Sequence, residues 1–147
     1  MIGLDAIKKI MEENEDRLPL LTLDEFFEGN NAEDSIAPND WGFGRPPIAE
    51  IWGMLQKIER MPDMAWIRIA LHDDTIELYN VTEEAVLYGD SVIICTSMQG
   101  AELEELVNCE WLCSGGAEEW ELSSLDSIFS CRPPVPDGFR CFAIVWD

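Results

Sequence analysis

The chain has 147 residues, long enough to bury a full core without disulfide or metal staples. Thirty acidic residues against nine basic ones leave a formal net charge of −21, which disfavours nucleic acid and anionic membranes as partners and favours a basic one. Six Trp and six Phe among 47% hydrophobic residues exclude wholesale disorder.

The amino terminus is amphipathic, with Leu4, Ile7, Ile10 and Met11 on one helical face, and a first helix is expected over 4–15. It ends in acids and lacks the apolar segment of a signal peptide. No apolar run reaches the roughly 20 residues needed to span a bilayer. These features place the protein in the cytoplasm, where the five cysteines are expected as free thiols. After Pro19, residues 24–28 form a single helical turn stopped by Gly29.

Residues 29–47, GNNAEDSIAPNDWGFGRPP, show no sustained apolar period and are dominated by Asn, Asp, Gly and Pro. Ordered loops of that length are uncommon and tend to be functional. Ile36 and Phe43 supply apolar anchors, and Trp41 is expected to pin the loop beside the sheet. Pro46 and Pro47 then open the clearest helix, with Ile48, Ile51, Trp52, Leu55 and Ile58 in one stripe as far as Arg60.

Period-two alternation marks a strand over 65–71 and a second over 75–80, with His72-Asp73-Asp74 as the turn of a hairpin. Residues 81–90 have no clear pattern. Residues 91–97 are apolar on both faces, as in a central strand. A helix follows over 101–112, ended near Ser114-Gly115-Gly116. The region up to Gly138 reads as irregular, with one short helix over 125–129. A second central strand, 139–146, closes the pattern. The fold expected is α+β, a single domain over 1–147, with an antiparallel or mixed sheet of about four strands covered by helices.

Candidate chemistry is sparse. His72 is the only histidine, and with Asp73 and Asp74 it offers a small hydrolase or metal site, although a turn histidine explains the same residues. Cys109 and Cys113 stand at i and i+4, and with Cys131 and Cys141 they are the one four-thiolate set to weigh for zinc. The short C-x₂-C spacing is missing, so free thiols are expected instead. Asn30, Asn31, Glu33, Asp34, Asn39 and Asp40 carry oxygen donors, but not at the offsets of a calcium loop. No phosphate loop, nucleophile elbow or basic patch is present. Neither a cofactor nor a resident metal is therefore expected.

What remains is acid set beside aromatic. Asp34, Asp40 and Trp41 in the loop, and Glu118, Glu119, Trp120 and Glu121 further on, form the expected partner-binding residues, since aromatics anchor interfaces and charge steers them.

Several pieces also resemble a family of uncharacterised bacterial proteins. They are the run from Leu23 to Asn30, Ser35-Ile36 with Asn39, the strand at 91–97 followed by an acidic helix, and a closing Val145-Trp146-Asp147. That resemblance implies no known activity. In size, acidity and lack of a catalytic motif the chain is similar to immunity proteins of bacterial toxin systems. The expected function is a non-enzymatic acidic binding protein, an inhibitor of a basic protein such as a toxin enzyme. The alternatives are an enzyme centred on His72, Asp73 and Asp74, or a DNA mimic that occupies a DNA-binding protein.

Overall fold

The computed structural model describes residues 1–77 and 87–146. Its framework is one sheet of six strands in the order β4-β6-β3-β2-β1-β5, flanked by helices, so the fold is α+β. The strands are β1 Leu18–Leu21, β2 Met64–Leu71, β3 Gly89–Thr96, β4 Ala117–Trp120, β5 Phe129–Ser130 and β6 Arg140–Val145. The helices are α1 Leu4–Glu13, α2 Leu23–Phe27, α3 Ile48–Glu59, α4 Gly100–Val107, α5 Cys109–Leu112 and α6 Leu122–Ile128. All strand pairs are antiparallel except β1 with β5, which makes the sheet mixed. Among the described residues no helix is long and apolar enough to cross a membrane.

Side chains alternate along a strand, so register sorts the sheet into two faces. Ile67 and Ile69 of β2 lie opposite Ile94 and Val92 of β3, which lie opposite Phe142 and Ile144 of β6. Ile51 and Leu55 of α3, Val107 of α4 and Leu112 of α5 pack over Val92 and Ile144 on that face. The other face carries Trp66, Ala70, Ile93, Cys95, Cys141 and Ala143, all buried. Most of these are small. They leave room for the 131–139 segment, whose Pro134 carbonyl accepts a hydrogen bond from Trp66 Nε1 at 3.1 Å.

Three expectations change. The strand β2 does pair with a following antiparallel strand, but that strand is β3. Thr75, Ile76 and Glu77 are helical, and Thr75 N–H donates back to the His72 carbonyl. Two or three alternating apolar residues do not distinguish a strand from a helical turn, and here β3 already occupies the β2 edge. Residues 78–86, including the rest of that expected strand, lie outside the described residues, as does Asp147. The helix expected over 101–112 is broken at Asn108, which adopts φ +55 and whose side chain accepts from Trp111 N–H. Asn tolerates the left-handed conformation better than most residues, so it can end one helix and cap the next. Finally, the sheet has six strands where about four were expected, because β1, β4 and β5 are too short to show a period.

The arginines tie distant segments together. Arg17, just after α1, donates to the carbonyls of Asp126 and Phe129. Arg132 forks onto Asp126, Nε to Oδ1 at 2.6 Å and Nη2 to Oδ2 at 3.1 Å, joining α6 to the segment over the sheet. These hydrogen bonds hold the Asp126 carboxyl below its ordinary range. A carboxyl depressed in the folded state adds stability above the unfolded value of about 3.9, and that stability is lost as the pH falls below it. The Asp126 side chain is 46% exposed and so partly screened by solvent, which keeps the contribution modest, below about 1 kcal/mol. Asp126→Asn should therefore lower the urea midpoint at pH 7, while the difference from the unmodified protein shrinks at pH 2.5. Equal differences at both pH values would show that the pair does not contribute through its charge.

Candidate interaction surface

The loop at 29–47 is built around a buried arginine. Gly29, at φ +77, turns the chain out of α2. Asn30 is buried: its Nδ2 donates to the Phe26 carbonyl and Ser35 Oγ, and its Oδ1 accepts from Ala32 N–H. Ile36, fully buried, bridges to Gly89 at the start of β3. Ala37 at φ +47 and Gly42 and Gly44 at φ +87 and +115 reverse the chain toward Arg45.

The Arg45 side chain is wholly buried and meets four acceptors. Its Nη1 donates to the carbonyls of Glu33, at 2.6 Å, and Ile36. Its Nε donates to the Pro46 carbonyl at 3.1 Å, and Nη2 to Glu33 Oε1 at 2.7 Å. The same carboxylate accepts Ile48 N–H at 2.9 Å, so Glu33 also satisfies the first amide of α3, whose cap residue Pro47 has no side-chain acceptor. Burial pushes the guanidinium's pKa down, opposed by Glu33, Asp40 and Asp34. An arginine stays charged under such a shift, so the bidding for its protons is electrostatic.

This arrangement corrects the anchoring expected of Trp41. Trp41 is 40% exposed, lying under the Arg45 guanidinium at 4.6 Å, and Phe43 is 84% exposed. Ile36 and Arg45 hold the loop, and the two aromatics are presented at its tip. Asp34 is exposed and Asp40 half-buried beside them, with one Asp40 oxygen lacking a hydrogen-bond partner. The oxygen donors weighed for calcium do not converge, since Asn30 and Glu33 point into the loop's own hydrogen bonds.

The second expected element is an edge strand where an irregular stretch was expected. Glu118 and Glu119 on β4 are exposed, Trp120 is half-buried, and exposed Glu121 immediately precedes α6. Register divides them: Glu119 lies opposite Phe142 and pairs with Arg140 at 3.2 Å, while Glu118 and Trp120 share the opposite face. Inside the edge, Glu104 of α4 accepts Ala117 N–H at 2.9 Å.

His72 connects the two regions. It sits at the end of β2, with Asp74 N–H donating to Nδ1 at 3.1 Å and Asp73 Oδ1 lying 3.2 Å from the same nitrogen. The first contact needs Nδ1 as an acceptor and the second needs it as a donor, so the two contacts exclude one another for any one placement of the ring proton. His72 and Asp90 border a hollow of about 360 Å³ that reaches Ser35 and Asn39 of the loop, and Trp146. They also border a second hollow, of about 480 Å³, that reaches Trp120. Among the described residues, His72, Asp73 and Asp74 form the set whose donor atoms come within metal-ligating range of one another. The four cysteines weighed for zinc do not, and Cys141 lies opposite Cys95 across β6 and β3.

A model described as the uncharacterized protein YfbO family matches residues 2–144. The chain belongs to that family. The match spans both the loop and β4. No curated protein and no solved structure matched the chain.

Sequence reasoning missed Arg45, because arginine is rarely wholly buried and nothing local announces it. It also missed Asp16 and Asp90, which flank the hollow shared by His72 and Trp120, since they stand far apart along the chain. Arg45→Ala leaves the Glu33 carboxylate without its counter-charge and should cost about 3–5 kcal/mol in urea unfolding. Arg45→Lys should recover only part of that, because one ammonium cannot satisfy the four acceptors of a guanidinium fork. A neutral effect of Arg45→Ala would remove the lock from the account.

Proposed function

We propose that the protein is a non-enzymatic acidic binding protein of the cytoplasm that neutralises a basic protein, most concretely an immunity protein masking a toxin enzyme. The observation that carries this reading is how charge is distributed. Five of the six arginines are tied within the chain: Arg45 to Glu33, Arg68 to Glu59, Arg132 to Asp126, Arg140 to Glu119, and Arg17 to two carbonyls. Most of the arginines are thus engaged within the chain, while Asp34, Glu118 and Glu121 stand exposed on a body of net charge −21.

Such a surface raises the association rate with a cationic partner and loses that advantage as salt screens it. The exposed Trp41 and Phe43, held on a loop that is already folded, suit the role of anchors that slow dissociation. In an inhibitor of a nucleic-acid enzyme, carboxylates would occupy the cationic positions that otherwise hold substrate phosphates, and the aromatics would fill the adjoining pocket.

The test is affinity capture from the native host followed by kinetics on the identified partner. Association should slow by at least about tenfold between low and physiological salt. Glu118→Lys with Glu121→Lys should slow it further and flatten its salt dependence; Glu119 is left in place because Lys there would face Arg140. Trp41→Ala with Phe43→Ala should speed dissociation with little effect on association. Failure to capture any basic protein, or association indifferent to salt, would defeat the proposal.

A further inference from the structure

The hollow beside Trp120 has the composition of a seat for a cationic side chain. Its floor and walls are apolar: Met11 from α1, Leu18 from β1, Leu71 from β2, Ile128 from α6 and Phe129 from β5, with Trp120 of β4 as one side. Ile128 is 48% exposed, so this apolar surface is open to a partner. Its rim is acidic, formed by Asp16 after α1, Asp73 after β2 and Asp90 on β3, all three exposed. Among the described residues that line it there is no Lys or Arg. The neighbour of Asp16, Arg17, is turned away onto the Asp126 and Phe129 carbonyls. The volume, about 480 Å³, falls within the range of pockets that hold one compact group.

We infer that this groove takes an arginine or lysine side chain from an apolar, basic segment of the protein partner. It rests on the reading of the protein as a binder of basic proteins and gives that reading a site. Long cationic side chains have the matching anatomy, an aliphatic stem that packs on apolar surface and a charged head that stays at the rim. The indole of Trp120 adds a face on which such a head is attracted. A neutral apolar segment would fill the walls but gain nothing from the three carboxylates, and an anionic one would be repelled. Seven separate elements converge to build the groove, so its carboxylates are set around an apolar cavity and are not a charged run on one surface helix.

The probe is the blocked peptide acetyl-Leu-Arg-Leu-Arg-amide, titrated into isotope-labelled full-length protein at pH 8, beside a counterpart with citrulline in place of arginine. The arginine peptide should give saturable shifts at the Trp120 indole and the Met11 and Ile128 methyls. The citrulline peptide should bind about tenfold more weakly, the sum of three partly screened charge contacts. The combined variant D16N/D73N/D90N, whose changes are all on the surface and should leave the melting temperature unchanged, should show the same loss. Trp120→Leu should also lose affinity. Equal binding of the two peptides, or shifts scattered over other acids while Trp120 is silent, would overturn the inference. If the combined variant still captures the protein partner with unchanged kinetics, the groove is not the partner's seat and the broader proposal survives. If the unmodified protein binds the arginine peptide at Trp120 but captures no basic protein, the broader proposal fails and the groove stands.

Discussion

One carboxylate does two jobs at the centre of this structure. Glu33 pairs with a guanidinium wholly removed from water, and it closes the open amide at the start of α3. Removing a charge from water is expensive, and an ion pair offsets that only when the remaining donors find partners. Here they do, through the carbonyls of Glu33, Ile36 and Pro46. The loop backbone therefore has to adopt the shape that delivers those carbonyls. Ile36 fixes the other side by pairing with Gly89, which links the loop to the sheet. A loop rich in Gly, Asn and Asp, with little apolar surface of its own, gains a single shape in this way.

That constraint shapes the surface the loop displays. With the anchoring done by Arg45 and Ile36, Trp41 and Phe43 are free to face outward. A preformed loop loses less entropy on binding than one that must order at that moment. The same economy of positive charge runs through the rest of the chain, where arginines brace α6, β4 and the 131–139 segment from within. The acids they leave unpaired define the protein's outer field, and two hollows meeting at His72 and Asp90 lie within that field.

Much of the frame was legible in the residues. The stripe of Ile48, Ile51, Leu55 and Ile58 marked α3, which opens one residue after the proline pair, and the doubly apolar runs marked β3 and β6 as interior strands. The loop at 29–47 and its ends were also readable from composition and from Gly29. What stayed hidden depends on contacts between distant residues. Ala117–Trp120 reads as polar because an edge strand with two outward glutamates has no apolar face to repeat. Residues 75–77 alternate like a strand, yet Thr75 bonds back to His72 and turns helical. Glu33 and Arg45 stand twelve positions apart among other charges, and only the folded loop shows that one is buried against the other. The groove at Trp120 draws on both halves of the chain, so no local window contains it.

The central claim is that the loop is folded before any partner arrives, held by Arg45 and Glu33. Amide hydrogen exchange on the isolated protein tests it directly. The Phe43 and Arg45 amides both donate to the Asp40 carbonyl, and the Ile48 amide donates to Glu33. All three should exchange far more slowly than an unstructured chain. Exchange of these amides at unstructured rates, with β2 and β3 still protected, would contradict it.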